Sequence, residues 1–472
     1  MRTKIKSPTY IGILIFIGLL FFIAPIDTDL GWHLRYGEHF LQTGNFMKTN
    51  EITYLLPGYL WPNSYTLYQI IVSLIYKYIG LIGLGITCSL IMILTFIGFD
   101  MVNPKFTKVN FALFLFMTLF SWGIFHLGFR AQLFTFSFLI FLYYLLKRVN
   151  PLKILAISLP FFFLWSNLHG GFILGLIVLS FATFDAFINK DHKRKKYLMF
   201  SVILGFVGTL LNPYGFKVYE EAFRHMQVPM HTLIAEWLRP SPLYAVLTVI
   251  IGLSAIFAQF KHKTRHKAFW GLNLTSFSYL ALEAKRNLPE FALAASLSIF
   301  DPFQSQIKKI EKHQATQLII NLVLLAGIPF LLMTTVSNNI KLSTSNKYYC
   351  EKGILPLPCN AIEYINDKAI EGENVYSAYE WGGYLAWQLP EYKFFVDGRT
   401  PAWPTPEGKS PYTIYLEIIQ AREGYQDSLE KYNTDWMLIG AGTFLDLELQ
   451  ELDNSPWNEE YRDDIAVVYI KS

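Results

Sequence analysis

Charge is scarce in this chain. Only 16% of its 472 residues are Asp, Glu, Lys or Arg, against about 25% in soluble domains. That deficit excludes an ordinary soluble protein for most of the length. Cysteine is scarce as well, at three residues, and no Cys/His spacing of the zinc type occurs. There is no P-loop and no G-x-G-x-x-G opening a βαβ unit, so nucleotide-driven chemistry has no support. Internal repeats are missing, and many transporters are built from them. A net charge of +4 gives no sign of a nucleic-acid partner.

What fills the chain instead is apolar. Hydrophobic residues make up 53%, aromatic residues 17%, and the mean hydropathy is +0.30. The apolar residues gather in blocks of roughly the length a helix needs to cross a hydrocarbon core. Candidate spans are 10–24, 79–99, 109–127, 133–146, 154–168, 172–188, 197–211, 243–260, 269–282, 291–303 and 317–336, about eleven in all. The stretch 67–78 is amphipathic and either lies in the interface or lengthens the second span. The first block follows a basic start and precedes Pro25 and D-T-D rather than a small-residue cleavage site, so it reads as a retained helix. Beyond Val336 the composition turns ordinary. The expected architecture is a polytopic α-helical membrane domain, 1–336, followed by a small α/β domain, 337–472. In that tail V-Y-S, Y-K-F-F-V, W-M-L-I and I-A-V-V-Y-I read as strands, and 361–368 and 412–432 as helices.

Basic residues set the sidedness. Arg2, Lys4 and Lys6 precede the first span. Lys105 and Lys108 follow the second, Lys147, Arg148 and Lys153 the fourth, and Lys190 and Lys193–Lys196 the sixth. Lys261–Lys267 follow the eighth and Lys308, Lys309 and Lys312 the tenth. Every second loop is basic, the mark of the cytoplasmic side. The remaining loops and the tail are therefore expected outside a cytoplasmic membrane. They hold the unusual polar clusters: D-T-D-L-G-W-H-L-R-Y-G-E (27–38), H-L-G-F-R-A-Q (126–132), N-L-H-G-G (167–171), A-E-W (235–237) and E-A-K-R-N (283–287). Ionisable groups at membrane depth are costly and tend to mark a working site. Cys350 and Cys359 flank a Pro-rich loop on this side. A local disulfide and two free thiols both remain open.

The D-T-D immediately after the first span, opening a long outward loop, resembles the GT-C superfamily of polytopic glycosyltransferases, which take lipid-linked sugar donors. V-Y-S-A-Y-E-W-G-G-Y-L-A-W (375–387), with F-F-V-D-G-R-T (394–400) after it, is similar to the region around the W-W-D-Y-G motif of oligosaccharyltransferases. Here the core reads Y-E-W-G-G-Y, out of register with that motif, which puts a peptide acceptor in doubt. The resemblance implies a transferase moving a sugar from a polyprenyl-phosphate-type donor to an acceptor (protein, lipid or glycan) on the extracytoplasmic face.

That chemistry needs a base, cations for the leaving phosphate, and access from the lipid. Asp27 and Asp29 are the first candidates. In an extended segment both carboxylates would point one way and serve as base or hold Mg²⁺ or Mn²⁺ through oxygen. Their ordinary reading is a solvated capping pair before L-G-W-H-L-R, and the catalytic reading is preferred. Glu236 is the second acidic candidate, or a surface carboxylate beside Trp237. Arg130, His169, Lys285 and Arg286 are candidates for the donor phosphate. Their ordinary readings are a headgroup-seeking Arg, a hydrogen-bonded interior His, and a Lys-Arg pair matched by Glu283 and Glu290. Glu380, Trp381, Asp397 and Arg399 are expected on the acceptor side, unless Asp397–Gly398 is a plain turn of a soluble fold. Two readings from other classes stand beside the enzyme: a transporter or flippase of lipid-linked or polar solutes, and a non-catalytic scaffold in envelope glycan assembly.

Overall fold

The structure is a computed structural model that describes residues 7–353, 355–453 and 455–472. The basic start at Arg2, Lys4 and Lys6 lies outside the described residues. A helix stands at each of the eleven apolar blocks: Pro8–Leu20, Thr66–Val102, Thr107–Phe120, Gln132–Arg148, Pro151–Leu168, Phe172–Ile188, His192–Thr209, Pro242–Lys261, Lys267–Glu283, Leu288–Ser298 and Gln314–Leu331. Among the described residues four helical stretches are long and apolar enough to cross a membrane: Thr66–Val102, Pro151–Leu168, Pro242–Lys261 and Gln314–Thr344. Pro8–Leu20, Thr107–Phe120 and Phe172–Ile188 are apolar but shorter. The chain is thus built as a multi-pass membrane protein, while a count of eleven spans goes beyond this. Leu288–Ser298 shows why: every one of its residues is buried, and eleven residues rise only about 16 Å, half a hydrocarbon core.

Two boundaries moved for identifiable reasons. The amphipathic stretch 67–78 and the second span form one helix, Thr66–Val102, interrupted only at Gly80, whose φ of 69° is outside helical space and is open to glycine. The last long helix continues past Val336, through a π-helical turn at Leu332–Val336, to Thr344. There Asn339 reaches across to accept a hydrogen bond from the Ala24 N–H (2.8 Å).

The tail carries a five-stranded sheet. Its strands are β1 (Asn374–Ser377), β2 (Lys393–Phe394), β3 (Trp436–Gly440), β4 (Trp457–Arg462) and β5 (Ala466–Lys471), in the order β2-β1-β3-β5-β4. The β2-β1-β3 part is parallel and the β3-β5-β4 part antiparallel. β1 and β3 are almost wholly buried, as parallel strands covered on both faces are. The expected helix at 412–432 is two helices, Pro411–Ile419 and Tyr425–Lys431, broken before Gly424 at φ 82°. Cys350 and Cys359 are joined by a disulfide.

The tail does not sit apart from the first long loop. Ile52–Tyr54 lies along the β2 edge: the Phe394 N–H donates to the Ile52 carbonyl (3.0 Å) and the Tyr54 N–H to the Phe394 carbonyl (3.1 Å). At Gly31 and Gly383 two backbones meet so closely that a Cβ on Gly31 would lie 1.8 Å from the Gly383 carbonyl oxygen. The Leu30–Thr43 helix and the Gly382–Gln388 helix can approach this way only because neither carries a side chain there.

Candidate functional site

The first loop delivers Asp27 and Asp29. The helix before it ends at Leu20, and the descending segment is pinned from three sides. Besides Asn339 on Ala24, the Tyr349 hydroxyl donates to the Pro25 carbonyl (3.0 Å) and the Ile26 N–H to the Leu127 carbonyl (3.3 Å). Asp29 occupies the N-cap of the Leu30–Thr43 helix in αR geometry and makes no side-chain cap. Asp29 is therefore not extended and its side chain does not cap, while Asp27 Oδ1 accepts from the Asp29 N–H (3.3 Å) at the helix start; both carboxylates reach the same guanidinium.

That guanidinium belongs to Arg130, on the turn leading into the Gln132–Arg148 helix. Its Nε donates to Asp27 Oδ2 at 2.7 Å and its Nη1 to Glu236 Oε2 at 2.7 Å, with Asp29 Oδ2 3.8 Å from Nη2. Glu236 sits on a single 3₁₀ turn, Ala235–Trp237. The flanks of this turn are held by the Tyr412 hydroxyl donating to the Leu233 carbonyl (3.1 Å) and the Lys285 N–H donating to the Leu238 carbonyl (2.9 Å). Arg286 closes the cluster: Nη1 donates to Glu236 Oε1 at 2.9 Å, and its guanidinium lies over the Trp237 ring. Five residues from four loops, Asp27, Asp29, Arg130, Glu236 and Arg286, thus converge. Lys147, at the far end of the helix that begins beside Arg130, pairs with Asp301 instead; that helix is 17 residues long, about 25 Å.

Electrostatics separates the carboxylates. Burial pushes the Asp29 carboxyl up to about 7, reinforced by Asp27 and opposed by Arg130 and Trp32. Burial also raises Asp27, against the pull of Arg130. For Glu236 burial is outweighed by Arg130 and Arg286, which hold it down at about 2. Asp29 is thus poised to exchange a proton near neutrality. Its Oδ1 accepts from the Trp32 indole N–H at 3.0 Å, which leaves Oδ2 as the freer oxygen.

His169 lies within electrostatic reach of Arg130, Arg286 and Glu236. Its Nδ1 accepts from the Gly171 N–H (3.1 Å) and faces the Thr135 hydroxyl at 2.7 Å. Thr135 in turn accepts from Trp165 Nε1 (3.0 Å). With Nδ1 accepting, the proton is on Nε2, which becomes a donor. Lys285 shares the Lys285–Asn287 turn with Arg286. The four tail residues divide. Glu380 is exposed. Trp381 is buried and donates its indole N–H to the Pro356 carbonyl (3.1 Å). Asp397 and Arg399 form a fully interior ion pair, with Arg399 Nη1 also donating to the Tyr36 hydroxyl (2.6 Å) and its guanidinium set among Tyr36, Trp61 and Trp403. Of the four, Glu380 alone is exposed; the other three bind the tail to itself and to the first loop. Gly398, between Asp397 and Arg399, abuts Asp29: a Cβ there would lie 2.0 Å from Asp29 Oδ1.

Glu290 belongs beside these residues and was visible in the sequence only as a partner for Lys285 and Arg286. It is buried with Oε2 unpartnered, and lines a narrow cavity with Arg130, Gln132, Ile124 and Phe125. An open apolar groove of about 570 Å³ lies between the Thr107–Phe120 and Pro242–Lys261 helices, lined by Leu115, Leu119, Phe120, Leu243 and Leu247 among others. Its Phe120 end packs on Phe291 and Tyr244, toward the Arg130 end of the bundle.

The carboxylates do not fit a divalent cation. Among the described residues no three His, Cys, Asp or Glu side chains are arranged to hold a metal. The oxygens of Asp27 and Glu236 that face the centre accept from Arg130. An ion on those oxygens would have to displace the guanidinium that already fills the space between them.

No protein-family model matches the chain and no curated protein sequence matches it. Solved structures do. The apo oligosaccharyltransferase of Archaeoglobus fulgidus superposes with a TM-score of 0.60 at 10% identity over 92% of this chain and 70% of its own. The same archaeal enzyme (AglB) in complex with an inhibitory peptide and a dolichol-phosphate gives 0.59 at 12% identity over 94% and 69%. Its complex with Zn and sulfate gives 0.57 at 13% identity over 92% and 68%. The chain thus shares its fold with this archaeal oligosaccharyltransferase.

Proposed function

We propose that this chain is a membrane glycosyltransferase that moves a sugar from a polyprenyl-phosphate-type donor to an acceptor on the extracytoplasmic face of the cytoplasmic membrane. The observation that carries the reading is the meeting of Asp27, Asp29, Arg130, Glu236 and Arg286 at the end of the bundle where an apolar groove opens sideways. A lipid tail in that groove would bring its phosphate to the arginines. The alternation of basic loops supports a path of about eleven passes, with the membrane part ending near residue 336 and the tail outside.

In this reading Asp29 is the base. Its carboxylate takes the proton of the acceptor hydroxyl or amide as that group attacks the anomeric carbon, and the bond from that carbon to the phosphate oxygen breaks. The phosphate leaves with the bonding electron pair. Its charge is met by Arg286, by Lys285 and by the Nε2–H of His169, since guanidinium groups bind oxyanions in a fixed, paired geometry. Glu236, held low by the two arginines, stays ionised, and together with Asp27 it orients Arg130 and Arg286. Glu380, near the tyrosines of the tail, faces the acceptor, while Trp381, Asp397 and Arg399 position the loop that bears on Asp29.

The test is reconstitution of the purified chain with the lipid extract of its source cells, following lipid-linked sugar and free polyprenyl phosphate by mass spectrometry. Asp27→Asn and Asp29→Asn are expected to abolish transfer at unchanged expression; full transfer in both removes them from the mechanism. Solute flux in vesicles lacking any acceptor would favour a transporter instead. A sugar-binding scaffold that performs no transfer is the second reading. The pairing of all three carboxylates with arginine favours it, and it predicts that both substitutions are tolerated.

A further inference from the structure

Arg130 stands where carboxylates from two separate loops would share an ion. Asp27 and Asp29 come from the segment after the first helix and Glu236 from a turn some two hundred residues on, yet all three face one side chain at 2.7, 3.8 and 2.7 Å. A divalent ion bound by the same oxygens needs them at about 2.0–2.6 Å. That requires the guanidinium to leave a place in which only 13% of its side-chain surface is exposed. Arg286 holds the opposite oxygen of Glu236, so an incoming ion would also meet a second fixed positive charge. Arginine keeps its proton at any working pH. The cation in this cluster is therefore covalently part of the chain.

We propose that Arg130 takes the place of a divalent metal, so that the site binds none and works without one. This rests on the transferase reading for its meaning, but its central claim concerns cation binding alone. The geometry also says what Arg130 does there. Its hydrogen bonds to Asp27 and Glu236 use two of the five guanidinium N–H groups. The remaining donors are available to a phosphate oxygen through directional hydrogen bonds, where a metal would have coordinated it directly.

The experiment uses the full-length protein in detergent and Mn²⁺ as the probe. Bound Mn²⁺ is counted by loss of the free-ion EPR signal, and melting temperature is read with Mn²⁺ and with EDTA. The wild-type chain is expected to bind no stoichiometric Mn²⁺ and to melt at one temperature under both conditions. Arg130→Ala leaves three carboxylates facing one another; it is expected to take up one equivalent and to melt higher with Mn²⁺, and Asp27→Asn added to it should remove both gains. Arg130→Gln, which keeps most of the volume, repeats the measurement should the alanine variant not fold. Overturning results are one equivalent bound by the wild type and lost in Asp27→Asn, or no Mn²⁺ gained by either folded Arg130 variant. None of these readouts depends on turnover. A failure of the transferase reading therefore leaves the cation measurement standing, and the reverse also holds. Where transfer is observed, it should persist undiminished in EDTA.

Discussion

Substitution of Gly398 by Ala tests whether the tail sets the reactivity of Asp29. The new methyl carbon would lie 2.0 Å from Asp29 Oδ1 and 3.0 Å from its Cγ. Ordinary contact requires well over 3 Å, so something must yield by about 1 Å or more. Gly398 cannot retreat easily, because both neighbours are interior and locked in an ion pair. Asp29 must move instead, away from the Trp32 indole that now donates to it at 3.0 Å. Misplacing a reacting group by 1 Å costs about 10²-fold in rate, whereas overpacking of this kind destabilises by about 1–3 kcal/mol. Gly398→Ala is therefore expected to lower kcat about a hundredfold in the reconstituted lipid-linked sugar assay, with a melting temperature only a few degrees below wild type. Gly123→Ala, where a Cβ meets nothing within 4 Å, is the matched control and should be silent in both readouts. A folded Gly398→Ala protein with undiminished kcat would refute Asp29 as the base and the tail as its positioning element.

The raised carboxyl of Asp29 gives a pH signature: transfer should climb as pH rises through about 7, and a profile flat across that range would contradict the assignment. The same shift makes the folded state hold its proton longer than the unfolded chain. Stability should therefore fall as pH rises from the ordinary carboxylate range through about 7, and Asp29→Asn should melt higher than wild type at pH 8. Asp446 behaves oppositely. Despite its burial, Arg462, Tyr469 and the Gly442 N–H hold its carboxyl far below the usual range, so its stabilisation is present above about pH 4 and lost as pH falls further. Asp446→Asn is expected to cost about 1.5–3 kcal/mol in chemical denaturation, the range for hydrogen bonds to a charged group, and a loss under about 0.5 kcal/mol would show the pair to be dispensable. Non-reducing peptide mapping should recover Cys350 linked to Cys359, with Cys88 free. Replacing both bridged cysteines by serine should lower stability by about 2–3 kcal/mol.

Much of this was legible because membrane physics writes itself in long runs. Apolar blocks and alternating basic loops located the helices and grouped the polar clusters that in fact meet. The D-T-D pair, Arg130, Glu236 and Arg286 could be picked out because each is a charge where the surroundings disfavour one. Other features lack such a signal. The break at Gly80 rests on a single glycine, and the split after Ile419 on left-handed Ala421 and Gly424, whose φ values no pattern announces. β4 escaped because W-N-E-E-Y-R is mostly exposed on the sheet edge and carries no apolar alternation. Asp397 and Arg399 stand out in the sequence as charges beside a Gly, but that they pair with each other in the interior is not written there. Sequence shows which residues are unusual; whether a charge faces a ligand or its own neighbour is decided by tertiary packing.

The cage around Arg399 has a consequence for biosynthesis. Its aromatic walls, Tyr36, Trp61 and Trp403, come from opposite ends of the chain, and the glycine before it braces Asp29. A nascent chain that has not yet reached Arg399 must wait with its first loop unfinished, so the protein is expected to stay inert in the membrane until translation is nearly complete. Chains truncated before Gly398 should therefore insert normally yet show the first loop open to protease, and a protected loop in such a fragment would count against this order of assembly.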